Sequence, residues 1–313
     1  MRDFLAVPFG WVLSALYGLT DNYVLSIVLI TVIVKFLLLP ASIKQQKNSA
    51  KQTRLNTKVN KIKQKYAGNQ QKIQEETQAL YQREGFGMGN MGCTTMLIPL
   101  VVMIGLYGVI YAPITKVLNF STATVEKLKT FMGIVAEAGK NDNASRMVEL
   151  NILNKFTEYK DSLGEILSEA EIADLAKLKD NFMFMGMDLT QTPNTKEFNL
   201  LWLIPIFACL TALASSLFMY SRQRKQNPEM AKNPTMGCMT FMSPAMSLWF
   251  TFMFPAGVGI YWIISNILSF IQQVALAYLY SPKKVIAQQM VDETVLRRSR
   301  ENNVKRRVEI EKK

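Results

Sequence analysis

NYVLSIVLITVIVKFLLLP, Asn22 to Pro40, is the stretch that decides how the rest of the chain is read. As a helix rising about 1.5 Å per residue it is long enough to cross the roughly 30 Å hydrocarbon layer of a bilayer. Its β-branched and Leu content also suits a buried strand, but strands rarely run so long, and a basic tract follows directly. One charge lies inside it, Lys35. A cation at the centre of a spanning helix costs about 2.5–3.5 kcal/mol on insertion scales, so its presence has a reason. Either Lys35, five residues before Pro40, snorkels to the nearer headgroups, or it lines a wet cavity in which the charge is used.

Outward from this stretch, very apolar blocks of span length alternate with very polar ones. That segregation is hidden in the averages of a 313-residue chain that is 49% hydrophobic. Five spans are expected: Asn22–Pro40, Cys93–Pro113, Asn199–Tyr220, Met236–Phe254 and Gly257–Tyr280. The last two are separated by Pro255-Ala256 and form a tight hairpin. Net charge is +12, and its placement sets a topology. Residues 41–91 carry 10 Lys/Arg against 3 acids, 221–235 carry 4 against 1, and 281–313 carry 10 against 5, whereas 114–198 carry 10 against 13. The positive-inside rule puts the three basic stretches in the cytoplasm and the N-terminus outside. Five spans then return the C-terminus to the cytoplasm.

The expected class is therefore an all-α, polytopic membrane protein with five transmembrane helices and a cytoplasmic helical hairpin. Its parts are an outer-surface interfacial helix (1–21), the first span (22–40), the hairpin (41–91), the second span (92–113) and an extracellular helical loop (114–198). The third span (199–220), a cytoplasmic loop (221–235), the fourth and fifth spans (236–280) and a basic tail (281–313) follow. Residues 1–21 have an early Arg and an apolar run but no small-x-small cleavage site before a polar segment. They read as an uncleaved helix opened by Pro8, with Trp11 and Tyr17 at headgroup depth. In the hairpin, Leu55, Val59, Ile62 and Tyr66 recur at helical spacing, Gly68-Asn69 breaks the run, and Ile73, Thr77, Leu80 and Tyr81 resume it. Each arm has one narrow apolar stripe. The outer loop is expected to hold two amphipathic helices, about 145–159 and 162–179, the second opening on a capping box from Ser162 to Glu165.

Chemistry is scarce. The chain has no histidine, which removes the commonest base and metal ligand, and no Ser/His or Cys/His nucleophile can be assembled. No G-x-x-x-x-G-K-[ST] phosphate loop is present. Cys93, Cys209 and Cys238 fall in or at the ends of spans without paired spacing and read as packing residues. No cofactor or metal is expected, and the chain does not read as an enzyme. A polar stripe remains. Trp262, Asn266, Ser269 and Gln273 share one face of the fifth span, Thr31 and Lys35 a face of the first, and Thr211 and Ser215 a face of the third. Such residues serve either as helix–helix glue or as the lining of a groove opened to water.

ITVIVKFLLLP followed by SIKQQKNSAK, then EETQALYQREG and Gly92-Cys93 ahead of a span ending GLYGVI, resembles the YidC family of membrane-protein insertases in its bacterial, Gram-positive-like form. The second half agrees, with FMFMGMDL before the third span and SPAMSLWFTFMFPAGVGIYWIISNILSFIQQ carrying P-x-G, YW, SN and QQ in order. The match is weakest over residues 120–180. Many members carry Arg where this chain has Lys35, the Asn-Pro usual after the arm is absent, and Pro99 stands where a Gln is often found. Thr94 and Thr95 are what carry over from the second span. The resemblance implies a protein of the bacterial plasma membrane that inserts and helps fold integral membrane proteins without nucleotide hydrolysis, through a hydrophilic groove open to the cytoplasm and lipid. Lys35, Thr31, Thr94, Thr95, Thr211, Ser215, Trp262, Asn266, Ser269 and Gln273 would line that groove. Nascent membrane proteins are the expected clients. The Sec translocon, anionic lipids and the ribosome are candidate partners, and the basic tail reads either as an rRNA contact or as a topology signal. The competing class is a small-solute transporter or channel, in which an intramembrane cation lies on the solute path.

Overall fold

A computed structural model describes residues 2–85, 93–134, 147–226 and 234–311, with the side chains at 2–5, 93–101, 234–236, 239, 303 and 305–311 outside the description. The chain divides into two compact units, Met1–Leu37 with Leu97–Arg222 and Ala231–Phe270, and Leu38–Met96 with Gln223–Met230 and Ile271–Lys313.

The first unit begins with α1 (Arg2–Thr20) and α2 (Tyr23–Leu37), joined at Asp21, whose φ is +51°. The expected span Asn22–Pro40 is thus shorter as a helix. It stops at Leu37, and a new helix starts at Leu39 with Pro40 in its first turn, where the missing N–H costs no hydrogen bond. Pro8 lies inside α1 and does not open it. The remaining long helices are α5 (Cys93–Tyr111), α10 (Leu203–Gln226, entered through a 3-10 turn at Leu200–Trp202), α11 (Pro234–Met253) and α12 (Ala256–Leu279). Between α5 and α10 lies a cap built from α6 (Pro113–Lys116), α7 (Thr122–Phe131), α8 (Val148–Tyr159), a 3-10 turn (Lys160–Glu165) and α9 (Glu169–Asn181). An antiparallel hairpin closes it, β1 (Met183–Phe184) with β2 (Met187–Asp188).

The cap has its own apolar centre, with Leu128, Leu150, Leu153, Leu163, Leu175, Leu178, Phe182 and Leu189 buried. The expected helix 162–179 starts later than its sequence suggested. Ser162 to Glu165 lies in the 3-10 turn, and the capping box is formed by Ser168, whose hydroxyl accepts from the Glu171 amide while the Glu171 carboxylate accepts from the Ser168 amide. Both sites have the S-x-x-E spacing. Gly164 inside the first raises the cost of helix there, whereas an unbroken run follows the second.

Two carboxylates, buried Glu149 and part-buried Asp188, tie the cap together. Glu149 accepts from the Ile114 and Thr115 amides at 2.7 and 3.0 Å and from the Thr115 hydroxyl at 2.8 Å, which satisfies the first turn of α6. Burial pushes its carboxyl above the ordinary range, and these donors offset only part of that effect. Asp188 accepts from Lys179 at 2.7 Å and from the Thr190 hydroxyl and amide at 2.6 and 3.0 Å. Desolvation alone would raise its pKa, but the ammonium and the two Thr190 donors outweigh it and hold the carboxyl below the usual range.

The helices alternate in direction relative to the cap. Tyr23, at the start of α2, stacks on Phe182 of the cap at 4.2 Å. At the start of α12, the Ala256 and Gly257 amides donate to the Gln191 and Leu189 carbonyls at 2.8 and 2.9 Å. Gly186, in the β1–β2 turn, lies against Leu200 just before α10. So α2, α10 and α12 all run away from the cap, while α5 and α11 end beside it. Away from the cap the long helices present apolar surface outward: Phe36, Phe207, Leu210, Phe241 and Trp249 are all more than half exposed. Contiguous apolar surface on this scale is not sustained in water, and lipid solvates it. The protein is membrane-integral. Among the described residues, Leu200–Gln226 and Ala256–Leu279 are long and apolar enough to cross a bilayer, and a third span results if the pair broken at Leu38 is one.

The second unit contains α3 (Leu39–Lys65), α4 (Gln70–Arg83) and α13 (Pro282–Glu311). A turn at Gly68, φ +90°, returns the chain from α3 to α4, and Asn69 caps α4 by accepting from the Lys72 amide. Leu55 and Val59 of the expected stripe are buried, whereas α4 buries nothing fully. The tail, read from sequence only as a basic segment, is a helix that packs along α3. Val285 is buried, Arg54 makes a two-pronged pair with Glu293 at 3.0 and 3.2 Å, and Lys58 pairs with Glu84 of α4.

Candidate functional site

In the first unit the polar residues of the long helices meet in pairs, and the pairs form a ladder. Nearest the cap, Trp262 Nε1 donates to Ser247 Oγ at 3.0 Å. Trp262 lies six residues into α12 and Ser247 six residues before the end of α11, each about 9 Å from the cap end of its helix. Next, Asn266 Nδ2 approaches Thr211 Oγ1 at 3.5 Å, about 12–15 Å along α10 and α12. Deepest, Lys35 Nζ donates to Ser269 Oγ at 2.6 Å, with both residues about 18–20 Å along their helices. The depths agree within each pair because the helices share or oppose direction as described above.

α10 and α12 run parallel and meet at separate levels. Thr211 faces Asn266, Phe218 meets the Phe270 ring edge-on at 5.6 Å, and Gly259 lies against Ile204 so tightly that a Cβ there would overlap Ile204 Cγ2. Small residues at such crossings bring backbones together and let short polar side chains meet.

The chemistry of the ladder is dominated by its lower end. Lys35 is half-buried, and among the described residues no carboxylate pairs with it. Its one bonded partner, Ser269, already donates to the Ser265 carbonyl at 2.6 Å, so the hydroxyl offers a lone pair but no charge. Ser215 Oγ is buried without a partner. The ammonium has donors left over, and the ladder above it is made of hydroxyls and amides that exchange partners at modest cost. Among the described residues no group of three or more His, Cys, Asp or Glu side chains is placed to hold a metal ion.

Of the residues singled out from sequence, Lys35, Thr211, Trp262, Asn266 and Ser269 are thus brought together, with Ser215 on the same helix as Thr211. Thr31 shares a helical face with Lys35, but its hydroxyl is buried and donates to the Ile27 carbonyl at 2.6 Å. Gln273 belongs to the second unit, where its Oε1 is buried without a partner. The side chains of Thr94 and Thr95 lie outside the described residues. Sequence reasoning missed Ser247, which holds the Trp262 indole, and Thr251, which donates to the Ser247 carbonyl at 2.8 Å. Their i, i+4 spacing in an otherwise apolar span was the available signal. Cys209 and Cys238 are free thiols.

The family described as 60Kd inner membrane protein matches residues 15–283. Among relatives, membrane protein insertase YidC 2 of Listeria innocua is 25% identical over 276 residues, covering 86% of this chain and 69% of its own. Membrane protein insertase MisCA of Bacillus subtilis is 25% identical over 269 residues, covering 84% and 74%. Membrane protein insertase YidC of Caldanaerobacter subterraneus is 25% identical, covering 86% and 92%.

Proposed function

The chain belongs to the family described as 60Kd inner membrane protein, and from that membership and the polar ladder ending at Lys35 we infer that it is a membrane protein insertase. Its clients are nascent membrane proteins. It works as a five-span protein of the bacterial plasma membrane, with the N-terminus and cap outside and the α3–α4 hairpin and α13 in the cytoplasm. The charge distribution supports that orientation, since the 41–91, 221–235 and 281–313 stretches are basic and 114–198 is not. The alternating direction of the helices relative to the cap is in keeping with it.

The observation that carries the mechanism is an ammonium inside a membrane helix whose described partner is a neutral hydroxyl. A client carboxylate near mid-bilayer costs about 2.5–3.5 kcal/mol on insertion scales. Attraction to Lys35 at 4 Å and an effective dielectric of 20 is about 4 kcal/mol, enough to offset that cost. The ladder of Ser269, Asn266, Thr211, Ser215 and Trp262 continues the polar path toward the cap, and water entering from the cytoplasm keeps Lys35 charged. Thr31, Thr94, Thr95 and Gln273 are further candidates named from the sequence. The client's apolar span then leaves sideways into lipid, driven by about 0.8 kcal/mol per CH₂ buried, so no nucleotide is needed. Exposed Arg297, Arg298 and Arg300 of α13 are available to ribosomal phosphates, and the hairpin lysines to anionic lipid. The Sec translocon is a further partner under this reading.

The test is insertion of a short-tailed client with an acidic N-terminal tail into vesicles holding the native chain, Lys35→Ala or Lys35→Arg. Lys35→Ala is expected to lower insertion about tenfold, the equivalent of about 1.4 kcal/mol. Lys35→Arg is expected to retain it. Full insertion by the Ala chain removes Lys35 from the mechanism.

A further inference from the structure

Where the cap meets α10, apolar side chains point outward from two adjacent turns. On the β1–β2 hairpin, Met183 is 49% and Met185 78% exposed, while Met187 turns inward and is buried. Met185 has φ +51° and Gly186 +80°, a tight turn that thrusts the Met185 side chain out. Beside it, Phe198 is 84% and Leu200 49% exposed, and Gly186 lies against the Leu200 side chain, so the two turns form one surface. Phe198 stacks on Trp202 at 4.1 Å, and Trp202 Nε1 donates to the Asn194 and Glu197 carbonyls at 2.9 and 3.1 Å. Its polar edge is thus satisfied inside the loop, and its half-buried ring also meets Phe252 edge-on at 4.9 Å, which backs the exposed Phe198 with apolar surface.

The charge of the hairpin is already spent. Asp188, the acid of the hairpin, is neutralised by Lys179 and accepts from the Thr190 hydroxyl, and both ion-pair side chains are nearly buried, at 12% and 14% exposure. The apolar surface then runs without interruption onto the outward face of α10 through Leu203, Ile206, Phe207 and Leu210. That continuity decides what covers it. A face that begins on a membrane-spanning helix and extends over its entry turns is covered by the same lipid.

We propose that Met183, Met185, Phe198, Leu200 and Trp202 form a wedge that sits in the headgroup–acyl boundary of the leaflet α10 enters, fastening the cap to the bilayer surface. Flanking Lys196 and Glu197, both exposed, are polar enough to stay at headgroup level. The wedge holds the entry of α10, and with it the α10–α12 contact that carries the ladder, at a fixed depth. This inference rests on α10 spanning the membrane and not on what the protein inserts.

The experiment places an environment-sensitive fluorophore, one at a time, at Met185→Cys, Phe198→Cys, Phe207→Cys and Glu169→Cys. Each is made in the full chain with Cys93, Cys209 and Cys238 replaced by Ala, and reconstituted into phosphatidylcholine–phosphatidylglycerol vesicles. Quenching by iodide in water is compared with quenching by a lipid carrying a nitroxide near the headgroup. The probes at 185 and 198 are expected to be quenched at least threefold more by the lipid nitroxide than the probe at Glu169, which lies on exposed α9, and to be about threefold less sensitive to iodide. Iodide sensitivity equal to that at Glu169 overturns the wedge, and so does protection from both quenchers, which means that protein covers the surface. The probe at Phe207 separates the two levels. If it too is open to iodide, the reading of α10 as a span fails; if it is lipid-quenched while 185 and 198 are not, only the wedge fails.

Discussion

Replacing Gly259 by Ala puts one methyl group against Ile204, where α12 meets α10. An added Cβ would meet Ile204 Cγ2 far inside the 3.4–4 Å of ordinary contact, with Ile204 Cβ and Thr251 Cγ2 both at 3.8 Å. Ile204 is 2% exposed, and a β-branched side chain within a helix has one favoured χ1, so its methyl cannot turn aside. Overpacking of this kind costs about 1–3 kcal/mol. Exchanging Gly for Ala inside a helix returns about 1 kcal/mol. An overlap this deep against a fixed side chain belongs to the upper part of the overpacking range, about 2–3 kcal/mol. The net expectation is therefore a loss of about 1–2 kcal/mol, and the helices separate rather than the side chain. Separation has a local reporter. Asn266 lies seven residues beyond Gly259, and Thr211 seven beyond Ile204, so the same shift stretches an Asn266–Thr211 contact already at 3.5 Å. Reversible unfolding in mixed micelles, titrated with SDS, reads the stability, and Gly259→Ala is expected to cost far less in an Ile204→Ala background than in the native chain. A Gly259→Ala chain as stable as the native one, or more so, would refute the close-contact reasoning. An equal cost in the two backgrounds would show that the Ile204 methyl is not the obstacle.

Two further predictions concern the cap. Ser168→Ala should cost about 1 kcal/mol through loss of the α9 cap, while Ser162→Ala, in the 3-10 turn, should cost a few tenths, as measured by thermal unfolding of the purified protein. Asp188→Asn should destabilise the cap at neutral pH. Because the folded pKa of Asp188 is held low, its contribution is fully present above the unfolded value of about 4 and fades as pH falls through the folded value. The stability gap between native and Asp188→Asn chains should therefore be constant from pH 7 to about 5 and narrow below about 4. A gap that persists unchanged to pH 2 would mean that the ion pair is not its source.

Much of the site was legible in residue type and spacing. Lys35 announced itself because one charge in an apolar block is conspicuous in any window, and Trp262, Asn266 and Ser269 because a polar stripe repeats with the helical period. Ser247 was not conspicuous, since a lone serine in a span is ordinary until an indole N–H is found 3.0 Å away. Thr31 shows the converse. Its position on the face of Lys35 was read correctly, yet a hydroxyl that can bond its own helix gives no outward sign of doing so. The same limit applies to the two S-x-x-E boxes, which are equivalent as strings and separated only by which stretch has a continuous helix behind it.

By itself, the sequence determined that the chain is helical and membrane-integral and that one charge lies inside an apolar block. Those properties follow from local hydropathy summed over some twenty residues, and no distant contact can reverse them. Only the tertiary structure decided what Lys35 bonds, which serine holds Trp262, where α9 begins and that the basic tail is a helix along α3. Each of those depends on atoms brought together from far apart in the chain, where fractions of an ångström and the competition among equivalent hydroxyls choose the partner.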